Sequence, residues 1–137
     1  FQIWFDPNLH ESLYEEANYS DYKSEIFLIK KEDGKKTKII LDINNQIDLK
    51  SDSIQIYQHS FTKGLYDHEI CQDRFHSIFI QHGRLKINDE IYNSGDFLIV
   101  DSELSLNIEI MSDTKVFEII SLIELPYKTY AEMHNIS

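Results

Sequence analysis

The sequence predicts an all-β domain, and three observations carry that prediction. Short segments rich in Ile, Leu, Val, Phe and Tyr recur along the chain, residues suited to tight turns separate them, and one segment alternates strictly between apolar and polar side chains. At 137 residues the chain has the size of one domain and can bury a single sizeable core. Its 42% hydrophobic and 12% aromatic content is ample for that core, which sets it apart from disordered chains.

In chain order, strands are expected near residues 1 to 5, 25 to 31, 37 to 43, 46 to 50, 53 to 61, 66 to 71, 75 to 82, 84 to 88, 90 to 92, 97 to 100, 104 to 110 and 115 to 123. The punctuation between them is Asp33-Gly34, Asn44-Asn45, Lys63-Gly64, His82-Gly83, Asn88-Asp89, Ser94-Gly95-Asp96 and Ser112-Asp113. Glycine and asparagine supply the positive φ that tight hairpins demand. Leu104-Ser105-Leu106-Asn107-Ile108-Glu109-Ile110 alternates with period two, so one face of that strand is inside and one outside. The run from residue 116 to 123 is more apolar, as expected of a strand covered on both faces. Residues 6 to 24 differ in kind: they read as a crossing linker with one helical turn around residues 9 to 17, and Tyr14, Tyr19 and Tyr22 as amphipathic anchors. After Leu125-Pro126 the tail is polar and suits a short terminal helix.

Charge and cysteine usage exclude several function classes. The net charge of −11 repels phosphate backbones, and the densest basic run (Lys30, Lys31, Lys35, Lys36, Lys38) is interrupted by Glu32-Asp33-Gly34, which reads as a solvated hairpin tip. Direct nucleic-acid binding is therefore not expected. Cys71 is the only cysteine and cannot form an internal disulfide, and no apolar stretch approaches the roughly 20 residues of a membrane span. A reducing, cytoplasmic setting without a membrane anchor is the expectation. The chain opens on Phe1 in the apolar run Phe1-Gln2-Ile3-Trp4-Phe5, which suggests a strand entered midway and further chain upstream.

Several fragments together resemble the C-terminal domain of the pirin family, two-cupin proteins that include quercetin 2,3-dioxygenase-like members. They are the opening run followed by Pro7, the strand Asp52-Ser53-Ile54-Gln55-Ile56-Tyr57, then Ile78-Phe79-Ile80-Gln81-His82-Gly83 with Leu85-Lys86-Ile87-Asn88, and the turn Ser94-Gly95-Asp96. Their order matches over nearly the whole chain; in the linker, Ser20-Asp21 stands before Tyr22 where the family carries a proline. The resemblance implies a cupin barrel (a double-stranded, jelly-roll-like β-helix) over residues 25 to 125. It is preceded by the end of another domain's strand and an interdomain linker over 1 to 24, and followed by a tail over 126 to 137.

The resemblance also makes the metal question testable by spacing. Metal-bearing cupins place an H-x-H pair, a glutamate and a closing glycine in one motif and a further histidine in a second. Anchored on Gly83, the glutamate position falls on His76 and the histidine pair on Glu69 and Cys71, or on Ile70 and Gln72; anchored on Gly95, the distant histidine position falls on Leu106. Glu69, Cys71 and His76 are thus the only metal candidates by motif, and the favoured expectation is that no metal or cofactor binds. Cys71 is then a small buried hydrophobe and His76 a core or rim residue, with Leu106, Ile108 and Ile110 meeting Ile78 and Ile80 inside. His59 and His68 flank a turn, His82 opens a hairpin, and His10 and His134 lie in linker and tail, so none completes a ligand spacing. Four glycines also leave no phosphate-cradling loop.

The functional expectation is a metal-free C-terminal cupin that supports an upstream Fe(II)-binding cupin, or pairs with a second copy, in a quercetinase-like or redox-sensing protein. By itself it would not catalyse. The alternatives are an autonomous barrel holding a small ligand, and a small metal-dependent oxygenase using Glu69, Cys71 and His76.

Overall fold

The predicted alternation is most visible in the last strand. In the computed structural model, which describes residues 2 to 17, 19 to 42, 49, 51, 53 to 101 and 103 to 135, the strand β8 spans Ser105–Leu122 and buries Leu106, Ile108, Ile110, Thr114, Val116, Glu118 and Ile120. Period two holds from Leu106 to Ile120 with one interruption, at the exposed Ser112, so the same face of β8 lines the interior on either side of it.

Among the described residues seven further strands precede it: β1 Leu28–Glu32, β2 Lys35–Leu41, β3 Gln55–Phe61, β4 Gly64–Glu69, β5 Arg74–Ile87, β6 Glu90–Asn93 and β7 Phe97–Val100. All described pairings are antiparallel. Along one edge β8 pairs with β5; along the other, its first half pairs with β4 and its second half with β3. Strand β5 in turn carries β7 beside its first half and β6 beside its second, while β1 and β2 extend the sheet from β3. The sheet wraps a core of Phe61, Ile70, Ile78, Ile80, Leu85, Ile87, Leu106, Ile108, Ile110 and Val116, so Leu106, Ile108 and Ile110 do meet Ile78 and Ile80. Among the described residues, helix is confined to α1 Leu9–Ser12, α2 Tyr130–Met133 and a 3-10 turn at Ser24–Ile26. No described helix is long and apolar enough to cross a membrane.

Two expected hairpins are instead single strands. The chain does not turn back at His82-Gly83 or at Ser112-Asp113; β5 and β8 run through as one long ribbon. The pairing shifts register between Ile80 and Leu85, and the inward positions of β5 change phase there, from His76, Ile78 and Ile80 to Leu85 and Ile87. A bulge of this kind bends the ribbon and raises its twist, letting one pair of strands serve both ends of the barrel. Gly83 sits at the bend with φ +98°, and a Cβ there would lie 2.4 Å from Thr114 Oγ1 and 2.5 Å from the Asp113 carbonyl oxygen. Only glycine fits.

The opening segment also departs from expectation. Residues 2 to 5 form no strand, and Trp4 is 86% exposed. The chain is instead pinned to its own tail at Asp6, whose carbonyl accepts from Tyr127 Oη (3.1 Å) and whose carboxylate accepts from the Tyr130 N–H (2.8 Å). Tyr14 and Tyr19 are exposed and cover no described surface as anchors would. Of the strand expected at 46 to 50, only Leu49 is described, outside any strand, and the Asn44-Asn45 turn lies outside the described residues.

Gly83→Ala should therefore cost about 2–4 kcal/mol, combining positive-φ strain with a steric clash against backbone. Gly95→Ala, with φ +95° but nothing within 4 Å, should cost about 1–2 kcal/mol from strain alone. Urea unfolding of the two variants checks the difference; equal losses would mean that close packing at the bend contributes nothing.

Candidate metal centre

Four strands each place one polar side chain where the alternation calls for an apolar one. His59 on β3 is in phase with Phe61, His68 at the end of β4 with Tyr66 and Ile70, His76 on β5 with Ile78 and Ile80, and Glu118 on β8 with Val116 and Ile120. Register then brings them together. Glu118 lies opposite Tyr57 on one side and Ile78 on the other, while His59 is opposite Val116 and His76 opposite Ile120. The two histidines are thus the diagonal neighbours of Glu118, one residue pair to either side, within reach of long side chains. His68 pairs with Leu106 in the other half of β8, and the bend of the ribbon carries it over the same point.

The four side chains are almost wholly buried: Glu118 and His76 are 1% exposed, His59 4% and His68 7%. Glu118 Oε2 lies 2.7 Å from His59 Nε2, and Oε1 lies 2.9 Å from His68 Nε2 and 2.7 Å from His76 Nδ1. Burial acts to raise the Glu118 pKa, but the hydrogen bonds from His59, His68 and His76 outweigh it and hold the carboxyl well below its ordinary range. An ionised carboxylate has no proton to give, so all three imidazoles donate. Burial also pushes His59 below its ordinary value. It is then the neutral tautomer with its proton on Nε2, and its Nδ1 accepts from the Thr37 hydroxyl at 2.9 Å. For His76, the Cys71 backbone N–H donates to Nε2 at 2.9 Å, which leaves the ring proton on Nδ1, facing Glu118.

One nitrogen has no place in this scheme. His68 Nδ1 is buried without a hydrogen-bond partner, a state that costs about 1–3 kcal/mol. The ligand atoms of His59, His68 and Glu118 all lie within 4.8 Å of one another, close enough to surround one ion. Two imidazoles and a carboxylate are a donor set suited to divalent first-row transition metals, with coordination positions left for an outside ligand. His76 does not belong to that set of three. With both ring nitrogens engaged, it is placed to orient the Glu118 carboxylate, as Thr37 orients His59. The cluster forms the base of a cleft of about 610 Å³ whose walls include Asp42, Tyr57, Asp67, Glu69 and Lys35.

The residues singled out by motif spacing separate in the structure. His76 joins the cluster, as a buried core residue and not at the rim. Glu69 is exposed on the wall of the cleft, and Cys71 is exposed, not a buried hydrophobe, meeting the cluster only through its backbone N–H. The expectation that no cofactor binds is not supported, because His59, His68 and Glu118 make a possible metal site. Motif spacing missed them because the three ligands come from three strands and not from one H-x-H segment. A signal was present: His59, His68, His76 and Glu118 each interrupt the apolar phase of their own strand. His10, His82 and His134 lie outside the cluster and are exposed.

No protein-family profile and no curated protein sequence matches the chain. Solved structures do. KdgF from Halomonas sp. aligns over 78% of this chain and 96% of its own, with TM-score 0.56 and 12% identity. A putative ethanolamine utilization protein Q from Salmonella typhimurium aligns over 70% and 80%, with TM-score 0.53 and 10% identity. The bacterial pirin YhhW from Escherichia coli, solved in complex with nickel(II), aligns over 63% of this chain but only 39% of its own, with TM-score 0.55 and 18% identity. At such identities the likeness establishes the fold, an all-β cupin barrel, and nothing finer.

The two pKa shifts give the metal-free protein a definite acid response. With His59 held below 6.5 and Glu118 well below 4.5, the unfolded chain binds more protons than the folded one once the pH drops beneath those values. Unfolding free energy should therefore fall with pH, first below about 6.5 through His59 and then more steeply below about 4.5 through Glu118. Denaturant midpoints measured across that range on chelator-treated protein check the sign. Glu118→Gln should remove the steeper, lower phase, and stability that stays level or rises on acidification would contradict the assignment.

Proposed function

We propose that this chain is a metal-binding cupin domain in which His59, His68 and Glu118 hold one divalent transition-metal ion. His76 and Thr37 orient two of those ligands, and the cleft above admits a small polar molecule to the remaining coordination positions. The observation that carries the reading is the Glu118 carboxylate, a buried anion surrounded by imidazoles beside a partnerless His68 nitrogen. A buried charge is costly unless it is balanced, and a divalent cation balances it; on binding, the His59 and His68 ring protons that face Glu118 move to Nδ1, which frees the Nε2 lone pairs for the metal. Nickel(II) in the Escherichia coli pirin lends support from a protein of like fold. The acidic groups on the cleft wall, Asp42, Asp67 and Glu69, favour entry of cations and of neutral polar ligands over anions. A set of two nitrogens and one oxygen with open positions is the kind that non-haem Fe(II) oxygenases use, so metal-dependent chemistry on a small molecule is the enzyme class this site suits.

A second reading keeps the chain as the C-terminal cupin of a pirin-like two-domain protein, partnered by an upstream barrel. Its support is the likeness to a pirin of which the chain spans 39%, together with the exposed Trp4. The polar cluster weighs against the metal-free form of that reading.

Elemental analysis after native purification, followed by titration of chelator-treated protein with Ni(II), Zn(II) and anaerobic Fe(II), tests the proposal. One ion per chain with Kd of about 1 μM or tighter, about 8 kcal/mol, is the expected result. Glu118→Gln and His59→Ala should lose more than about 100-fold in affinity, whereas His76→Ala should lose about 10–100-fold, as outer partners of metal ligands do. Circular dichroism on each variant separates lost ligation from lost folding. No binding by folded wild-type protein would leave the cluster as a hydrogen-bonded core and remove the metal from the proposal.

A further inference from the structure

On the face of the sheet opposite the buried cluster, one row of side chains crosses five strands with like charges side by side. Lys31 on β1 pairs with Lys36 on β2, Lys36 with Ser60 on β3, Ser60 with Lys115 on β8, and Lys115 with His82 on β5. Lys31, Lys36, Lys115 and His82 are exposed, while Thr37, His59 and Val116, their neighbours in sequence or one residue further along the ladder, are buried. The row therefore points outward. Like charges directly opposite one another in a sheet are destabilising. Lys31, Lys36 and Lys115 form no ion pair among the described residues.

The row lines a groove of about 460 Å³, which Lys35 and Phe61 also line, the Lys35 ammonium lying 5.5 Å from the Phe61 ring centre. Two carboxylates share the groove, and Glu32 is already held by Lys30 at 3.0 Å, which leaves Asp113. Lys31, Lys36 and Lys115 against Asp113, with Lys35 and Glu32 shared with the cleft over Glu118, make this a cationic groove on a chain whose net charge is −11. Spacing indicates what would fit. Adjacent strands lie about 4.8 Å apart, so Lys36 and Lys115, two strands apart, start about 10 Å from each other with the Ser60 hydroxyl between them. A ligand with several anionic oxygens can bridge both arms and relieve the repulsion along the row; a monovalent anion meets one arm only.

We propose that this groove binds a small multivalent oxyanion, a phosphate ester or a polycarboxylate, independently of the metal centre. The test is titration of the full chain with pyrophosphate, citrate and acetate at low salt, followed by calorimetry and amide chemical-shift mapping. Pyrophosphate or citrate should bind with Kd below about 1 mM, at least about 10-fold tighter than acetate, and whichever of the two is tighter identifies the anion class. Shifts should centre on Lys36, Ser60 and Lys115. Lys36→Gln and Lys115→Gln should each weaken binding at least about 5-fold and together abolish it, while Lys128→Gln, the same charge change on the tail, should leave it intact. The proposal is overturned by no response to about 10 mM of either multivalent probe, equal weakening by Lys128→Gln, retention in the double variant, or a response that requires added metal. The last would place the anion at the metal centre. An acidic oligonucleotide bound far more tightly than either probe, through the same lysines, would replace the small ligand by a macromolecule and would equally overturn it.

Discussion

A carboxylate that is 1% exposed, in a barrel otherwise lined by isoleucine, leucine, valine and phenylalanine, constrains everything near it. Glu118 is kept ionised by three imidazoles, each from a different strand, so that β3, β4, β5 and β8 are tied at one point by charge-assisted hydrogen bonds. Removing any one donor would leave the carboxylate partly uncompensated in a low-dielectric interior, where the loss of a partner costs several kcal/mol. That cost makes the position of the four side chains a property of the whole barrel and not of any one loop.

The ribbon of β5 and β8 is what makes such a cluster reachable. Strand β8 keeps its inward phase from Leu106 to Ile120, whereas β5 changes phase across the bulge near Gly83. The two strands therefore stay paired while the sheet curves, and β4, on the first half of β8, faces β3 and the first half of β5 across the interior. His68 reaches Glu118 by this route. A flat continuation of the sheet would have left it beside Leu106, distant from the other three.

The two faces of the sheet divide the charge. Inside, the polar groups of the cluster are buried and bonded to one another, and among the described residues His68 Nδ1 is the exception. Outside, Lys31, Lys36 and Lys115 stand in a row with no ion pair among the described residues, and most acidic residues lie elsewhere on the surface. One sheet thus presents a site suited to a cation on its inner side and one suited to an anion on its outer side. Because adjacent residues of a strand point to opposite faces, Lys36 and Thr37, or Ser60 and His59, serve different sites while being covalent neighbours.

Strand content, most turn positions and the core were legible in the sequence, because period-two alternation and positive-φ turn residues act over a few residues each. Leu106, Ile108 and Ile110 could be assigned to one face with Ile78 and Ile80 from pattern alone. Two turn signals misled: His82-Gly83 and Ser112-Asp113 mark a bulge and its partner, and local chemistry does not distinguish a bend within a ribbon from a hairpin that ends one. The metal candidates show the same limit more sharply. Glu69 and Cys71 follow from a spacing rule that assumes ligands close together in sequence, but the structure draws its possible metal ligands from positions 59, 68 and 118. What the chain determined by itself was that each of these residues would face inward, since facing depends only on phase within a strand. That they would face one another was decided by register, by the bend at Gly83 and by barrel closure, which join residues up to 59 positions apart and exist only once the sheet has formed.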